Sequence, residues 1–178
     1  GIAVAAVLTG LAMALSLWDP GAFDRLRHWA AGSLGGARIE AVILGLPFLL
    51  VGLGIALASA RALNALALGD EMARALGNSL GLVRLGGLIA VLLLAGTATA
   101  LAGPVAFVGL MAPHVVRRIT GPDQRLVTAG VLLVAPTLVL AADVAGRLIL
   151  PGGEVPVSIV TAFLGAPWLI ALARGRLA

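Results

Sequence analysis

Residues 103–118 read GPVAFVGLMAPHVVRR. From Val105 to Val116 the stretch is apolar and uncharged, but it is only 12 residues long. Crossing a bilayer core of about 30 Å takes roughly 20 apolar helical residues at 1.5 Å each. Gly103, Pro104, Gly109 and Pro113 also interrupt it. Irregular backbone at membrane depth is tolerated only where protein or a water-filled path covers it. A short, broken segment of this kind favours a translocation structure over an inert anchor. Whether it crosses decides how many times the whole chain crosses.

Working outward, the charge-free runs on either side are longer. Residues 85–103, LGGLIAVLLLAGTATALAG, precede it, and residues 126–142 follow, with Asp143 and Arg147 near the end of that run. Residues 1–18, 41–60 and 155–173 form three more. With the short segment this predicts six helical spans in an all-α, polytopic membrane bundle treated as one domain over 1–178. Polar connections lie at 19–40, 61–84, 117–125 and 147–156. The first holds Asp19, Pro20 and Arg38, with Trp18 and Trp29 as interface anchors. The third carries a Gly-Pro-Asp turn signal at 121–123. The fourth holds Pro151, Gly152, Gly153 and Pro156.

Alternating sides through six spans puts Arg61, Arg74, Arg84, Arg117, Arg118, Arg125, Arg174 and Arg176 on one side. Arg25, Arg27, Arg38 and Arg147 fall on the other. The arginine-rich side is then cytoplasmic, and so is the C-terminus. If the short segment did not cross, the bias would shrink or reverse, so the charge pattern supports six crossings.

Composition agrees. The 178 residues are 61% hydrophobic and 11% charged, with a mean hydropathy of +1.11. A soluble domain carries roughly 25% charge, which excludes that class. Twelve arginines, no lysine and eight acids give a net charge of +4. The basic residues are too sparse, and too separated by apolar runs, for nucleic acid. There is no Cys, so no disulfide, thiolate metal site or Cys nucleophile. The 24 glycines permit close helix approach in lipid, although a Gly/Ala-rich base composition would also supply them. The chain opens inside an apolar run with no basic region before it. We expect it to continue upstream in a longer protein, the alternative being a processed N-terminus.

The patterns that carry catalysis are missing: Walker A, HExxH, GxSxG and a strand-to-helix GxGxxG. His28 and His114 have no Cys or acid at metal-ligand spacing. His114 reads as a polar cap at the inner end of the short segment, or as a ligand or proton site. Asp143 and Arg147 are four apart on one helical face and form either an intrahelical pair or a functional intramembrane charge. In loop 61–84, residues 70–76 (DEMARAL) read as one or two amphipathic turns. Asp70 and Glu71 sit in the favourable first turn, and Gly69 and Gly77 bracket the segment. Such a helix on the cytoplasmic surface is either something a partner subunit grips or an ordinary connection.

These motifs, in this order, resemble the iron-siderophore, heme and vitamin B12 permease family of ABC importers (FecCD/BtuC type). GPVAFVGLMAPHVVRRITGPDQR resembles its GPIGFVGLxxPHxxRxxxGPDHR signature. LNALALGDEMARALG resembles its LxLGxxxARxLG coupling segment, and WAAGSLGG at 29–36 its W-x-x-GS-L element. ADVAGRLILPGGEVPVSIVTAFLGAPWLIAL resembles its C-terminal pattern. The departures are Ala106 and Ser158 for Gly, Trp168 for Phe and Gln124 for His.

The resemblance implies a ten-span permease working as a homo- or heterodimer, of which this chain is the C-terminal half. It implies two cytoplasmic ATPase subunits that use the ATP, an extracytoplasmic substrate-binding protein, membrane lipid around the spans, and no nucleic acid. It implies no cofactor bound by this chain and no enzymatic activity of its own. By resemblance, Leu68, Gly69, Asp70, Glu71, Ala73, Arg74 and Gly77 form the ATPase-coupling segment. Gly103, Pro104, Phe107, Gly109, Pro113, His114 and Arg117 match the translocation-path motif. Arg147 aligns with an external arginine that docks the binding protein. The cargo implied is an iron(III)-siderophore-type chelate moved across a bacterial cytoplasmic membrane, with heme or cobalamin as alternatives. An intramembrane enzyme using His114 and Asp143, or an ion-coupled carrier, would need more converging polar groups than the chain offers.

Overall fold

A computed structural model describes residues 2–18, 20–77, 79–149 and 155–174. Asp19, Pro151, Gly152, Gly153 and Arg176 lie outside the described residues. All the regular structure described is helical. In chain order the helices are α1 (Ile2–Ser16), α2 (Pro20–Ala30), α3 (Ile39–Ala67), α4 (Asp70–Ala75), α5 (Leu80–Ala102), α6 (Val108–Thr120), α7 (Gln124–Ile149) and α8 (Val157–Ala173).

Three of these are long and apolar enough to span a bilayer: α3, α5 and α7. At 29 residues α3 is about 43 Å long. It is the longest because the Ala/Leu-rich residues 61–67, expected as loop, continue it. Their helix propensity is high, and the single charge at Arg61 can reach the interface along its stem. Three further expectations change in the same direction. Residues 20–30 form α2, which starts on Pro20 at a position where proline's fixed φ suits a first turn. α6 runs on through Thr120, so the connection to α7 shrinks to 121–123. α7 continues to Ile149 and carries Arg147 in its last turn. α1, α6 and α8 have 15, 13 and 17 residues, each below the length that spans by itself.

The bundle is built on small residues. α3 packs along α5, and a Cβ at Gly45 would lie 2.8 Å from Thr97 Cγ2, one at Gly52 2.9 Å from Leu94 Cγ. α6 packs on α7 in the same way, with Val116 filling the space over Gly130. Among the described residues the buried hydrophobic side chains are Ala and Val, while many Leu, Ile and Phe along the helices are exposed. Lipid tails are as apolar as leucine, so helix association in a membrane rests on close van der Waals packing rather than on burying large side chains. α7 and α8 share a cluster of Ala142, Val157 and Val160, covered by Leu34 and Val105 from the two connections beside it.

Two sets of long-range hydrogen bonds mark opposite ends of the bundle. At one end the 31–32 turn after α2, the 103–104 segment after α5 and the start of α8 meet. At the other, the last turn of α3 meets the 121–124 turn between α6 and α7.

Candidate functional site

The α4 end comes first. α3 stops at Leu68 and Gly69, whose φ of 108° only glycine adopts readily. Six residues later α4 stops before Gly77. Ala73 is 0% exposed and seats this short helix on its neighbours α3 and α5. Asp70 accepts two hydrogen bonds from Arg84 of α5, at 2.8 and 3.1 Å. Both partners are about half exposed, so the pair orients α4 more than it stabilises it, contributing about 0.2–1 kcal/mol. Glu71 and Arg74 remain exposed on α4, beside exposed Leu68, Met72 and Leu76. The surface thus combines two opposite charges with an apolar patch, on a helix anchored by one buried alanine and one ion pair. Sequence reasoning named the α4 residues but missed Arg84, whose role depends on how α5 lies against α4.

The same end holds an unexpected network. Asn64 of α3 donates from Nδ2 to Asp123 Oδ1 at 2.8 Å and accepts at Oδ1 from the Gln124 backbone N–H at 2.8 Å. Asp123 Oδ1 also receives the Arg125 N–H at 3.0 Å and so caps α7. Arg117 of α6 donates to Gln124 Oε1 at 3.2 Å.

The segment from Gly103 to Arg117 runs from the far end of the bundle to this one. Gly103 and Pro104 lie in the non-helical stretch after α5, which the backbone of Gly32 touches closely. A Cβ on Gly103 would sit 2.1 Å from Trp29 O, and one on Gly32 2.5 Å from Pro104 O. Both residues also have positive φ, so glycine is required at each. Trp29 Nε1 donates to Thr99 O at 3.0 Å. Ser158, at the start of α8, gives its N–H to Gly32 O at 3.2 Å and its hydroxyl to Ala31 O. Phe107 is the N-cap of α6 and has a left-handed backbone, φ 69°. Gly109 and Pro113 are four apart inside α6, and the missing Pro113 N–H leaves the Gly109 carbonyl without its helical donor.

His114 lies mid-helix and partly buried rather than capping the inner end of α6, because α6 continues six residues further to Thr120. Asp143, 18% exposed at its side chain, accepts from Arg147 Nε at 2.8 Å, while Arg147 stays 48% exposed. The intrahelical pair therefore forms, and Arg147 is still reachable from outside. Among the described residues no group of three His, Asp or Glu side chains converges as a metal site would. A cavity of about 530 Å³ opens at the α2 end, lined by Asp24, His28, Trp29, Ser33 and Leu101. His28 Nδ1 there lies 2.8 Å from Asp24 O.

Known proteins resemble this chain in sequence and in fold. The chain is 46% identical over 177 residues to the ferric enterobactin transport system permease protein FepD of Escherichia coli, covering 99% of this chain and 52% of that protein. It is 36% identical over 174 residues to the Fe(3+)-citrate import system permease protein YfmD of Bacillus subtilis, covering 98% and 52%. The chain thus spans about half the length of the curated relatives it matches. Among solved structures, an inward-facing conformation of a metal-chelate type ABC transporter superposes with a TM-score of 0.78. It is 28% identical and covers 97% of this chain and 59% of that one. The profile of the FecCD transport family matches residues 1–175, and the chain belongs to that family.

Proposed function

We propose that this chain is part of the membrane-spanning permease subunit of an ABC importer. Its cargo is an iron(III)-siderophore-type chelate moved inward across a bacterial cytoplasmic membrane. The observation that carries the reading is α4: a short helix at one end of the bundle, held by Ala73 and the Asp70–Arg84 pair, with Glu71 and Arg74 turned outward. Two cytoplasmic ATPase subunits, one for each permease subunit of a dimer, bind through this helix, hydrolyse ATP and displace it. A second permease subunit completes the pathway, and an extracytoplasmic binding protein delivers cargo to the opposite end, near Arg147. The permease itself makes and breaks no covalent bonds.

Charge supports the orientation. Of the described arginines, Arg61, Arg74, Arg84, Arg117, Arg118, Arg125 and Arg174 lie toward the α4 end, and Arg25, Arg27, Arg38 and Arg147 toward the other. The positive-inside bias makes the α4 end and the C-terminus cytoplasmic. That assignment has α6 crossing, covered on one side by α7 and α8. The iron-chelate cargo rests on what the relatives' names say of them.

The test is uptake into proteoliposomes holding the permease with its ATPase and binding protein. Radio-iron presented as catecholate and citrate chelates should accumulate only with ATP and only with an intact ATPase. ATP-dependent uptake of heme or cobalamin, with none of iron chelates, would reassign the cargo. Uptake indifferent to ATP would overturn the importer reading.

A further inference from the structure

We propose that Asn64 is a positioning residue that carries the displacement of α4 to the α6–α7 pair, an inference that rests on the coupling role proposed above. α4 follows α3 after only Leu68 and Gly69, so a push on α4 acts directly on the last turn of α3. Asn64 sits in that turn. Its amide uses a donor toward Asp123 and its acceptor toward Gln124, residues adjacent in sequence and at the point where α6 turns into α7. Asp123 is bonded onward to the first turn of α7, and Gln124 to Arg117 of α6. One side chain thus joins three helices, and the third of them leads back through Gly109 and Pro113 to the opposite end of the bundle.

The chemistry is specific to a carboxamide. A single short side chain must present an N–H to a carboxylate and an oxygen to a backbone N–H at once. Aspartate at 64 would keep the second bond and lose the first, setting two carboxylates face to face. Exchanging the partners restores the link with its direction reversed. A carboxylate at 64 would accept from Gln124 N–H and from the Nδ2 of an asparagine at 123, once that side chain turns to place its nitrogen toward 64 and keep its oxygen on the Arg125 N–H, the two bonds that now share Asp123 Oδ1.

Ordinary fold-holding bonds would behave differently. Breaking them would lower assembly, ATP hydrolysis and uptake together. A coupling contact, when broken, leaves hydrolysis running while uptake per ATP falls. The experiment compares the assembled transporter carrying Asn64→Asp, Asp123→Asn and both changes, with ATP hydrolysis and radio-iron uptake measured on the same proteoliposomes and assembly followed by gel filtration. Asn64→Asp should lower uptake per ATP by about tenfold, inside the range of couplings between distinct sites. The double variant should return to within about twofold of the parent, because the two sites share one interaction. Should Asn64→Asp fail to assemble, Asn64→Ser, which removes the amide without adding charge, carries the same expectation.

Asp123→Asn alone keeps an acceptor oxygen for Asn64 and should stay close to the parent. A parent-like ratio in assembled Asn64→Asp would overturn the inference. So would a parallel fall in hydrolysis and uptake, or a double variant no better than Asn64→Asp. These results leave the importer reading intact if the parent transports. A parent without ATP-dependent uptake overturns that reading, and this inference with it.

Discussion

Phe107 packs into space that exists only because residue 165 has no side chain. A Cβ on Gly165 would lie 2.4 Å from both Cβ and Cγ of Phe107, closer than real carbon contacts come. Phe107 cannot easily yield, since it begins α6 with a left-handed backbone that costs a non-glycine residue about 1–3 kcal/mol. Gly165→Ala should therefore destabilise the protein by about 1–3 kcal/mol, as overpacking does. Pairing it with Phe107→Ala should cost less than the sum of the two, with a coupling of about 0.5–3 kcal/mol. Thermal unfolding in detergent reads both. A Gly165→Ala variant melting with the parent would mean that α6 and α8 do not meet here.

α4 supplies the second prediction. Glu71 and Arg74 are exposed, so reversing either charge should leave melting within about 0.5 kcal/mol of the parent. If the ATPase grips this surface, Glu71→Lys or Arg74→Glu should separate ATP hydrolysis from uptake. Hydrolysis would persist while transport falls, by about tenfold or more for a lost charge-assisted contact. Normal uptake in both variants would remove the coupling role from α4.

How legible these features were depended on how local their causes are. α4 could be read because its brackets, Gly69 and Gly77, and its acidic first turn are neighbours in sequence. The long spans could be read from uninterrupted apolar composition. The criterion of charge-free runs then misread Arg61, Asn64, Arg117 and Arg118 as loop residues, although helices continue through all four. It also passed over α2, whose charges alternate with apolar residues. The contacts that organise the two ends were illegible for a different reason. Asn64 and Asp123 are 59 residues apart, Trp29 and Thr99 are 70 apart, and Ser158 and Ala31 are 127 apart. Only the GPD turn signal fell on one of them, at Asp123, and it marked a turn without naming a partner. The left-handed backbone at Phe107 had no sequence signal, since glycine is the usual occupant of that conformation.

Arg147 serves its own helix and faces outward, and the two roles separate under mutation. Its pair with Asp143 is an i, i+4 contact with the arginine half exposed, contributing about 0.2–0.5 kcal/mol. Arg147→Glu should thus change melting little beyond the cost of a like-charge pair. If Arg147 also meets a carboxylate on the binding protein, the same change should weaken that association by about tenfold or more at low salt, and less as salt screens it. Binding curves at two ionic strengths decide the matter. An affinity equal to that of the parent would confine Arg147 to its intrahelical pair.

The last prediction ranks three residues at the end opposite α4. Gly32 stands between Pro104 and Ser158: a Cβ there would come within 2.5 Å of Pro104 O and 2.9 Å of Ser158 Cβ, on a backbone with φ 66°. A Cβ on Gly103 would meet Trp29 O even more closely, at 2.1 Å. In both cases the obstacle is a carbonyl oxygen of the main chain, which cannot swing aside as a side-chain tip would. Alanine at either position must part α2 from α5 and should cost about 2 kcal/mol or more, steric and φ penalties together. Ser158→Ala removes only the hydroxyl bond to Ala31 O and leaves the backbone bond to Gly32 O in place. Its cost should be about 0.5–1.5 kcal/mol, that of one hydrogen bond. The expected order of melting temperature is therefore parent, then Ser158→Ala, then the two glycine variants. Ser158→Ala melting below Gly32→Ala would show that the side-chain bond, rather than the backbone contact, holds this end of the bundle together.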